Sequence, residues 1–507
     1  MFVRQKKNKS GKISIQVILK SYGKFEVIHT LGCSSDAREV ESLVLKGKLW
    51  IDQKLGLQPI DLISANDRLA LDFLTNGLDW IRPAGAELVL NPIFDDIGFN
   101  LVAEPMFRYL VLCRLIYPGS KLRTTEYLAR HHAIYVDVEA VYRFMDRFAK
   151  HYRKDIEQAS FDHTSKIMGR SPQVVFYDVT TLYFEASHED DLRKMGFSKD
   201  GKAQNPQIVL GLLVASKGYP LAYEMFEGSK YEGHTMIPVV EAFKKRFKLE
   251  RLVVVADAGL LSAKNIEQLV ELGYDFILGA RLKAESKAVK KEILKMNLTD
   301  GQTKQLVRPD GFKLIINHSQ SRSKNDAFNR ARGLAKLEKA IDSGKLGKQH
   351  INNRGYNKFL IMNGEVTIEL DKVKVDEDTK WDGLKGFVTN TTLTMDEVMD
   401  NYKQLWNIEK AFRMSKSDLR FRPIFHRKKS RIETHLCIAF CSYKLYKELE
   451  RQLQEAKSGI SPERAIQILN SVYEIQAHLP ESKKPIRRLQ VKTEEQQDLL
   501  AIFKIQY

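Results

Sequence analysis

Between Val174 and Thr181 the chain reads V-V-F-Y-D-V-T-T. The run is β-branched and aromatic throughout, so it reads as a buried strand, yet Asp178 sits inside it. A charge there costs several kcal/mol unless it is paired or bound to a cation. A second segment, Arg251 to Gly273, reads R-L-V-V-V-A-D-A-G-L-L-S-A-K-N-I-E-Q-L-V-E-L-G. Its pattern predicts a strand through Val255, a turn at Asp257-Ala258-Gly259, and a helix capped by Ser262 and closed by Gly273. An acid at the carboxyl end of a strand is where open α/β sheets place their sites. Either Asp alone is equally well explained as the structural cap of a turn.

A third acid sits late in the chain. Tyr402 to Lys416 reads Y-K-Q-L-W-N-I-E-K-A-F-R-M-S-K, with one carboxylate, Glu409. On one helix, residues seven apart are offset by about 20°. Tyr402, Glu409 and Lys416 then share a face, flanked by Leu405 and Arg413. A carboxylate beside a phenol and two cations suits a site that holds a metal ion and grips a phosphate. The segment alone also reads as a solvated helix with i,i+4 charge pairs. Two strand acids followed by a helix acid form the constellation of a two-metal nuclease.

These motifs resemble the DDE transposases of bacterial insertion sequences, in the IS-four-like group marked by a Tyr-x2-Arg-x3-Glu-x6-Lys signature. Tyr402, Glu409 and Lys416 match at the group's spacing, and Y-D-V-T-T and A-D-A-G-L-L-S match its first and second Asp. The segments 211–221 (G-L-L-V-A-S-K-G-Y-P-L) and 415–426 (S-K-S-D-L-R-F-R-P-I-F-H) are also similar. The Arg position is Leu405 here, which leaves its phosphate contact to Arg413 or Lys403. The resemblance implies Asp178, Asp257 and Glu409 as catalytic carboxylates holding two Mg²⁺ or Mn²⁺ ions. Asp178 would bridge both, Asp257 would hold one and Glu409 the other. It implies Tyr402, Lys416 and Arg413 as DNA contacts, with Trp406 either a base-stacking residue or a core residue. It also implies a homodimer acting on paired element ends, with double-stranded DNA, both terminal inverted repeats and target, as partner.

Charge and composition point the same way. The 507 residues carry a formal charge of +17, which favours a polyanionic partner, nucleic acid first. Cys33, Cys113, Cys437 and Cys441 are too few and too scattered for a disulfide framework. Cys437 and Cys441, one helical turn apart in an apolar run, read as core. No apolar run of about 18 residues and no signal peptide is present, which predicts a soluble protein of a reducing cytoplasm, and the resemblance implies a bacterial, nucleoid-associated one.

The predicted fold class is α/β. An RNase H-like core is interrupted by a mainly β insertion, preceded by a β-hairpin and a helical DNA-binding region, and followed by a helical tail. The predicted segments are a hairpin arm at 1–35, the helical region at 36–170, and the core at 171–285 and 391–457. The insertion spans 286–390 and the tail 458–507. Arg4 to Lys9 form a basic leading arm, read either as a tracker of DNA backbone or as a plain edge. Helices near 121–131 and 137–152, the latter ending in K-H-Y-R-K, read as a helix-turn-helix-like pair or as a bundle linker. One helix is expected over 395–416. A basic helix between about 321 and 343 is either a solvated face or a backbone contact.

Phosphodiester cleavage needs an oxygen nucleophile and neutralised charge on attacking and leaving oxygens, which two divalent ions supply. Glu185, Glu189, Asp190, Asp191 and Asp275 are competing acids, and His234 and His426 read as hydrogen-bonding residues. The rival functions are an RNase H-like nuclease without strand transfer, and a domesticated non-catalytic DNA-binding protein. A metal phosphatase is more distant, because Asp178-Val179-Thr180 lacks a second Asp.

Overall fold

The computed structural model describes residues 1–506 except 57–63, 187, 199–200, 203, 261, 353–354, 364–366, 418–421 and 480. The side chains of 65, 232, 348, 363, 367 and 415–417 also lie outside the description. The chain divides into two compact units: Met1–Asp79 with Ala477–Ile486, and Trp80–Gln476 with Arg487–Tyr507.

In the first unit, strands Phe2–Lys7, Ile13–Ser21 and Lys24–Ser34 form an antiparallel sheet in chain order. The predicted basic arm is therefore a strand, with Phe2 opposite Ile18 and Lys7 opposite Ile13. Arg4 is spent across that ladder on the Gln16 side chain at 2.9 Å, and Phe2 meets Phe25 edge-on. Tyr22 and Gly23 both take positive φ (48° and 80°), the twist a two-residue hairpin demands.

The second unit is built on one mixed sheet. Its strands are β1 (Val174–Tyr183), β2 (Gln207–Val214), β3 (Pro220–Glu227), β4 (Val253–Ala256), β5 (Asp275–Ala280), β6 (Thr303–Val307), β7 (Lys313–His318) and β8 (Leu384–Thr389). The order across the sheet is β6-β7-β8-β5-β4-β1-β2-β3. Strands β1, β2 and β3 are antiparallel neighbours, while β4 and β5 join β1 in parallel. Every residue of β2 is buried, which is why its I-V-L-G-L-L-V run lacks alternation.

Helices cover both faces. Phe176, Leu182, Val255 and Ile277 belong to the core that also takes in α1 (Val138–Met168) and α7 (Lys429–Glu455). Val175, Tyr177, Val254 and Phe276 pack on α2 (Met236–Phe247) and α3 (Ala263–Glu271). Ser262 caps α3 by accepting from the Asn265 N–H, as its position before the apolar face predicts. Helix α1 runs well past the expected end near 152 because K-H-Y-R-K is mid-helix. Arg153 there pairs with Glu157 and Glu224.

Two expectations are corrected. The insertion is not mainly β: α4 (Gln320–Asp342) and the helices Lys287–Lys295 and Lys372–Thr379 outweigh its strands. Its longer strands become β6, β7 and β8 of the central sheet, because the otherwise bare edge of β5 offers unpaired backbone groups. The tail is not purely helical. Strands Tyr473–His478 and Pro485–Gln490 lie between the helices Pro462–Asn470 and Glu494–Ile502; Y-E-I-Q-A-H alternates in sequence, but burial does not follow it, since Glu474 is buried and Tyr473 exposed. Cys437 and Cys441 are buried and unbridged. Among the described residues, no helix is long and apolar enough to cross a membrane.

Inside the α1–α7 contact lies a fully buried lysine. Lys444 donates to the Ser160 carbonyl at 3.0 Å and to Thr164 Oγ1 at 2.5 Å. Burial pushes its ammonium down to about 7, against a modest opposing pull from Glu448. The unfolded side chain titrates near its usual 10.5. Between these values the unfolded chain holds the proton and the folded chain does not, so stability rises with pH, by at most about 1.4 kcal/mol per pH unit. Thermal melts of Lys444→Met should lack this rise, so the wild type gains on the variant as pH increases from about 7 to about 9. Parallel pH profiles would show that burial does not hold the lysine in its neutral form.

Candidate active site

The parallel register of β1 and β4 sets Tyr177 beside Ala256. One residue further on, Asp178 and Asp257 therefore stand on adjacent strands. Side chains alternate along a strand, so Asp178 and Asp257 share the face of Phe176, Val255 and Ile277. Gly279 of β5 lies on that face too. Asp178 is half-buried, and its Oδ1 accepts from the Val179 N–H at 2.8 Å. Asp257 is exposed just past the end of β4, and its Oδ1 accepts from the Gly259 N–H at 2.6 Å. That bond holds the turn and leaves the other carboxylate oxygen to the cavity.

The expected single helix over 395–416 is two helices, α5 (Met395–Lys403) and α6 (Trp406–Ser417). Thr394 and Glu397 start α5 with a reciprocal capping box. Around Gln404 and Leu405 the backbone bonds shorten to i→i+3, as in Leu405 N–H to Tyr402 O at 3.0 Å. The 100° rule does not carry across this tighter turn. Tyr402 thus ends one helix and Glu409 lies in the first turn of the next.

Tyr402 is the hub. Its ring is buried and stacks at a tilt on Phe387 of β8, 4.6 Å between centroids. Lys385 Nζ lies 4.5 Å above the same ring. A β-carbon on Gly279 would collide with Tyr402 Oη, so only glycine admits the phenol here. Burial, followed by the charges of Asp257, Glu409 and Asp178, holds the phenol above its usual range, with Arg322 pulling the other way. One oxygen atom therefore feels all three predicted carboxylates. Asp257, Tyr402 and Glu409 line a cavity of about 890 Å³ together with Arg322, Lys385 and Trp406.

A family model for the transposase DDE domain matches residues 169–445, more than half of the chain. The chain belongs to the DDE transposase family. No curated protein matches it. Among solved structures, it is similar to the piggyBac transposase synaptic complex with hairpin DNA at 9% identity and a TM-score of 0.37, covering 81% of this chain and 80% of that one. The Mos1 paired-end complex with the left transposon end matches at 12% identity and a TM-score of 0.16, covering 33% of this chain and 56% of that one. The Mos1 mariner paired-end complex with Mn matches at 11% identity and a TM-score of 0.15, covering 46% and 72%.

The transposase's predicted contacts fare differently. Trp406 is 54% exposed at the cavity, which removes the core reading. Arg413 is exposed and does not line the cavity. Lys403 lines it, with its amine on Asp400 at 2.9 Å. The Lys416 side chain lies outside the described residues. Leu405 is buried against the core and also borders the cavity. The cations acting at Tyr402 and Glu409 are Arg322, on the first turn of α4, and Lys385, on β8. Burial and the neighbouring Arg322 push the Lys385 ammonium down, and Glu409 opposes them. Neither residue was singled out as a site residue from sequence. Arg322 was visible only as one of several cations on a basic helix, and L-K-G-F-V-T as a strand.

The donor set suits a hard divalent cation, being three carboxylates and no thiolate or imidazole. Among the described residues, however, no three His, Cys, Asp or Glu side chains are grouped so that they could hold a metal ion together. Two of the competing acids are engaged elsewhere: Asp190 accepts from the Leu192 and Arg193 N–H groups, and Glu189 from that of Met195.

The Gly279–Tyr402 contact is directly testable. Gly279→Ala should destabilise the protein by about 1–3 kcal/mol, the usual cost of overpacking. Pairing it with Tyr402→Phe, which removes the colliding oxygen, should recover part of that loss, since the new β-carbon still meets the Ala258 backbone nitrogen at 2.9 Å. Urea denaturation of the four-member cycle measures the coupling, and simple additivity would show that the two groups do not meet.

Proposed function

We propose that this transposase cuts the ends of its element and joins the freed 3′-OH ends to target DNA at the site around Tyr402. What supports the reading is that Asp257 and Glu409 line one cavity with Tyr402, and that the charge of Asp178 also reaches that phenol, within a family matched across both strand motifs and the late helix. An RNase H-like core gives the arrangement its logic: two adjacent parallel strands and one covering helix each contribute a single acid.

Each group has a chemical role. Asp178, Asp257 and Glu409 would hold two Mg²⁺ or Mn²⁺ ions, which when bound neutralise charge on the attacking and leaving oxygens. Tyr402 stays protonated, since its neighbours disfavour the phenolate. It is therefore a hydrogen-bond donor rather than a nucleophile, and the attacking oxygen belongs to water or to a sugar hydroxyl. Arg322 and Lys385 grip a phosphate in place of the arginine that Leu405 replaces. Trp406 offers an exposed ring for a base. Arg413 extends the contact along the strand beyond the cavity, and Lys416 is the further phosphate contact that the family motif implies. Two chains on paired ends would supply one such site per end.

Asp178→Asn keeps the shape of the side chain and removes the ligand charge. Nicking of element-end DNA in Mg²⁺ should fall at least about a hundred-fold, because a liganding carboxylate is lost. Gel-shift affinity should stay within about two-fold, because binding comes from Lys and Arg at phosphates. Full cleavage by this variant would sink the assignment. A strand-transfer assay on the wild type separates the transposase from a nuclease that cuts without joining.

Arg322→Gln should weaken binding to end-containing DNA and lower the salt slope by about one, the value of one phosphate contact. Leu405→Arg in the same background should restore part of the loss, if both positions address one phosphate. An unchanged slope in Arg322→Gln would return the phosphate contact to Arg413 or Lys403.

A further inference from the structure

A second cavity, of about 400 Å³, lies among elements that the proposed chemistry does not use. Its walls come from the helix Pro105–Ile116 (Arg114), the start of the helix Lys121–His132 (Lys121, Arg123), α1 (Tyr142), α7 (His435), and the segment Arg422 to His426. That segment is part of the 415–426 motif, and it is fixed by Ile424, whose N–H donates to Tyr183 O at the end of β1.

The cavity is cationic, and among the described residues no carboxylate lines it. Lys121 is 4% exposed, borders the cavity, and makes no hydrogen bond or ion pair with the described residues. Burial first, and then Arg114, itself 5% exposed, disfavour the charge on Lys121. Among the described residues the carboxylate acting on His426 is Asp146, already held by Arg431, Lys428 and Ser430. The His426 imidazole is pushed down to about 3, first by burial, then by Lys121, Arg431 and Arg114. Ser120 caps the helix at the cavity wall, adding the positive end of a helix dipole. A buried ammonium without a counter-charge is costly unless an anion from outside completes it.

We infer that this cavity binds a phosphate group of DNA, separately from the Asp178–Glu409 site. The mouth favours a nucleotide over a lone anion. Exposed Arg123 extends the positive surface outward, and Phe425, 74% exposed, offers a ring beside it for the attached base or sugar. The inference does not rest on the catalytic reading, since it concerns binding alone.

Two measurements on the full chain test it. The first is thermal melting in sodium phosphate against sodium chloride at matched ionic strength. Phosphate should raise the melting temperature of the wild type by a few degrees. Lys121→Met should melt above the wild type in chloride, having lost an uncompensated buried charge, and should not respond to phosphate. The second is binding of a short labelled DNA duplex across a salt series. Lys121→Met should lose about ten-fold in affinity and about one unit of salt slope. Arg123→Gln, an exposed change that spares the fold, should weaken DNA binding while leaving the melting temperature in chloride unchanged, and it decides the matter should Lys121→Met not fold. Loss of the phosphate response with DNA binding intact in both variants would overturn the DNA assignment in favour of a free phosphate anion. Wild-type behaviour of both variants in both measurements would overturn the site.

Discussion

The parallel pairing of β1 with β4 is the constraint on which the candidate active site depends. Because Tyr177 faces Ala256, the next residue on each strand is an aspartate, and both aspartates look toward α5 and α6. A slip of one residue would send one carboxylate to the opposite face, among the apolar side chains of α2 and α3. The register is held by burial on both sides of the sheet, where Val175, Phe176 and Tyr177 are wholly enclosed. The geometry of the candidate site and the hydrophobic core are therefore set by the same ladder. A mutation that loosens the packing of β1 also moves Asp178.

The covering layer has a different character. Helix α7 is buried almost from end to end, yet it carries polar and charged side chains at Thr434, Ser442, Lys444 and Glu448. Each finds a partner: Thr434 donates to Met145 O, Ser442 to Val111 O, and Glu448 receives Tyr219 and Arg451. Hydrogen bonds of this kind are directional where apolar contacts are not, so they fix the rotation of α7 against α1. That rotation also places His435 in the wall of the phosphate cavity.

Much of the site was readable in the sequence because its acids interrupt strongly patterned segments. An aspartate inside V-V-F-Y-D-V-T-T, or at the end of a β-branched run before a capped helix, has few bland explanations. Glu409 was found through the motif it belongs to, although the helix carrying it is broken where a continuous one was expected. The pattern of apolar residues runs on through Gln404 and Leu405, and only the i→i+3 bonds reveal the break. Arg322 and Lys385 stayed hidden for another reason. Their chemistry is ordinary on a surface helix and an edge strand, and only the long-range pairing of β8 with β5 brings them to Tyr402. Long-range pairings leave no local periodicity, which is also why the insertion's strands read as a module of their own.

That pairing changes what kind of object the insertion is. Its strands β6 to β8 close the edge of β5, so the segment is a wall of the catalytic unit rather than an appendage hung from a loop. Excising it would uncover a row of unpaired amides along β5 and remove two of the cavity's cations in one cut. Variation in this region is accordingly restrained from two directions. The outer helices are free to lengthen or shorten, while the β7–β8 ladder and the first turn of α4 must keep their place for the sheet to end cleanly and for the site to keep its charge.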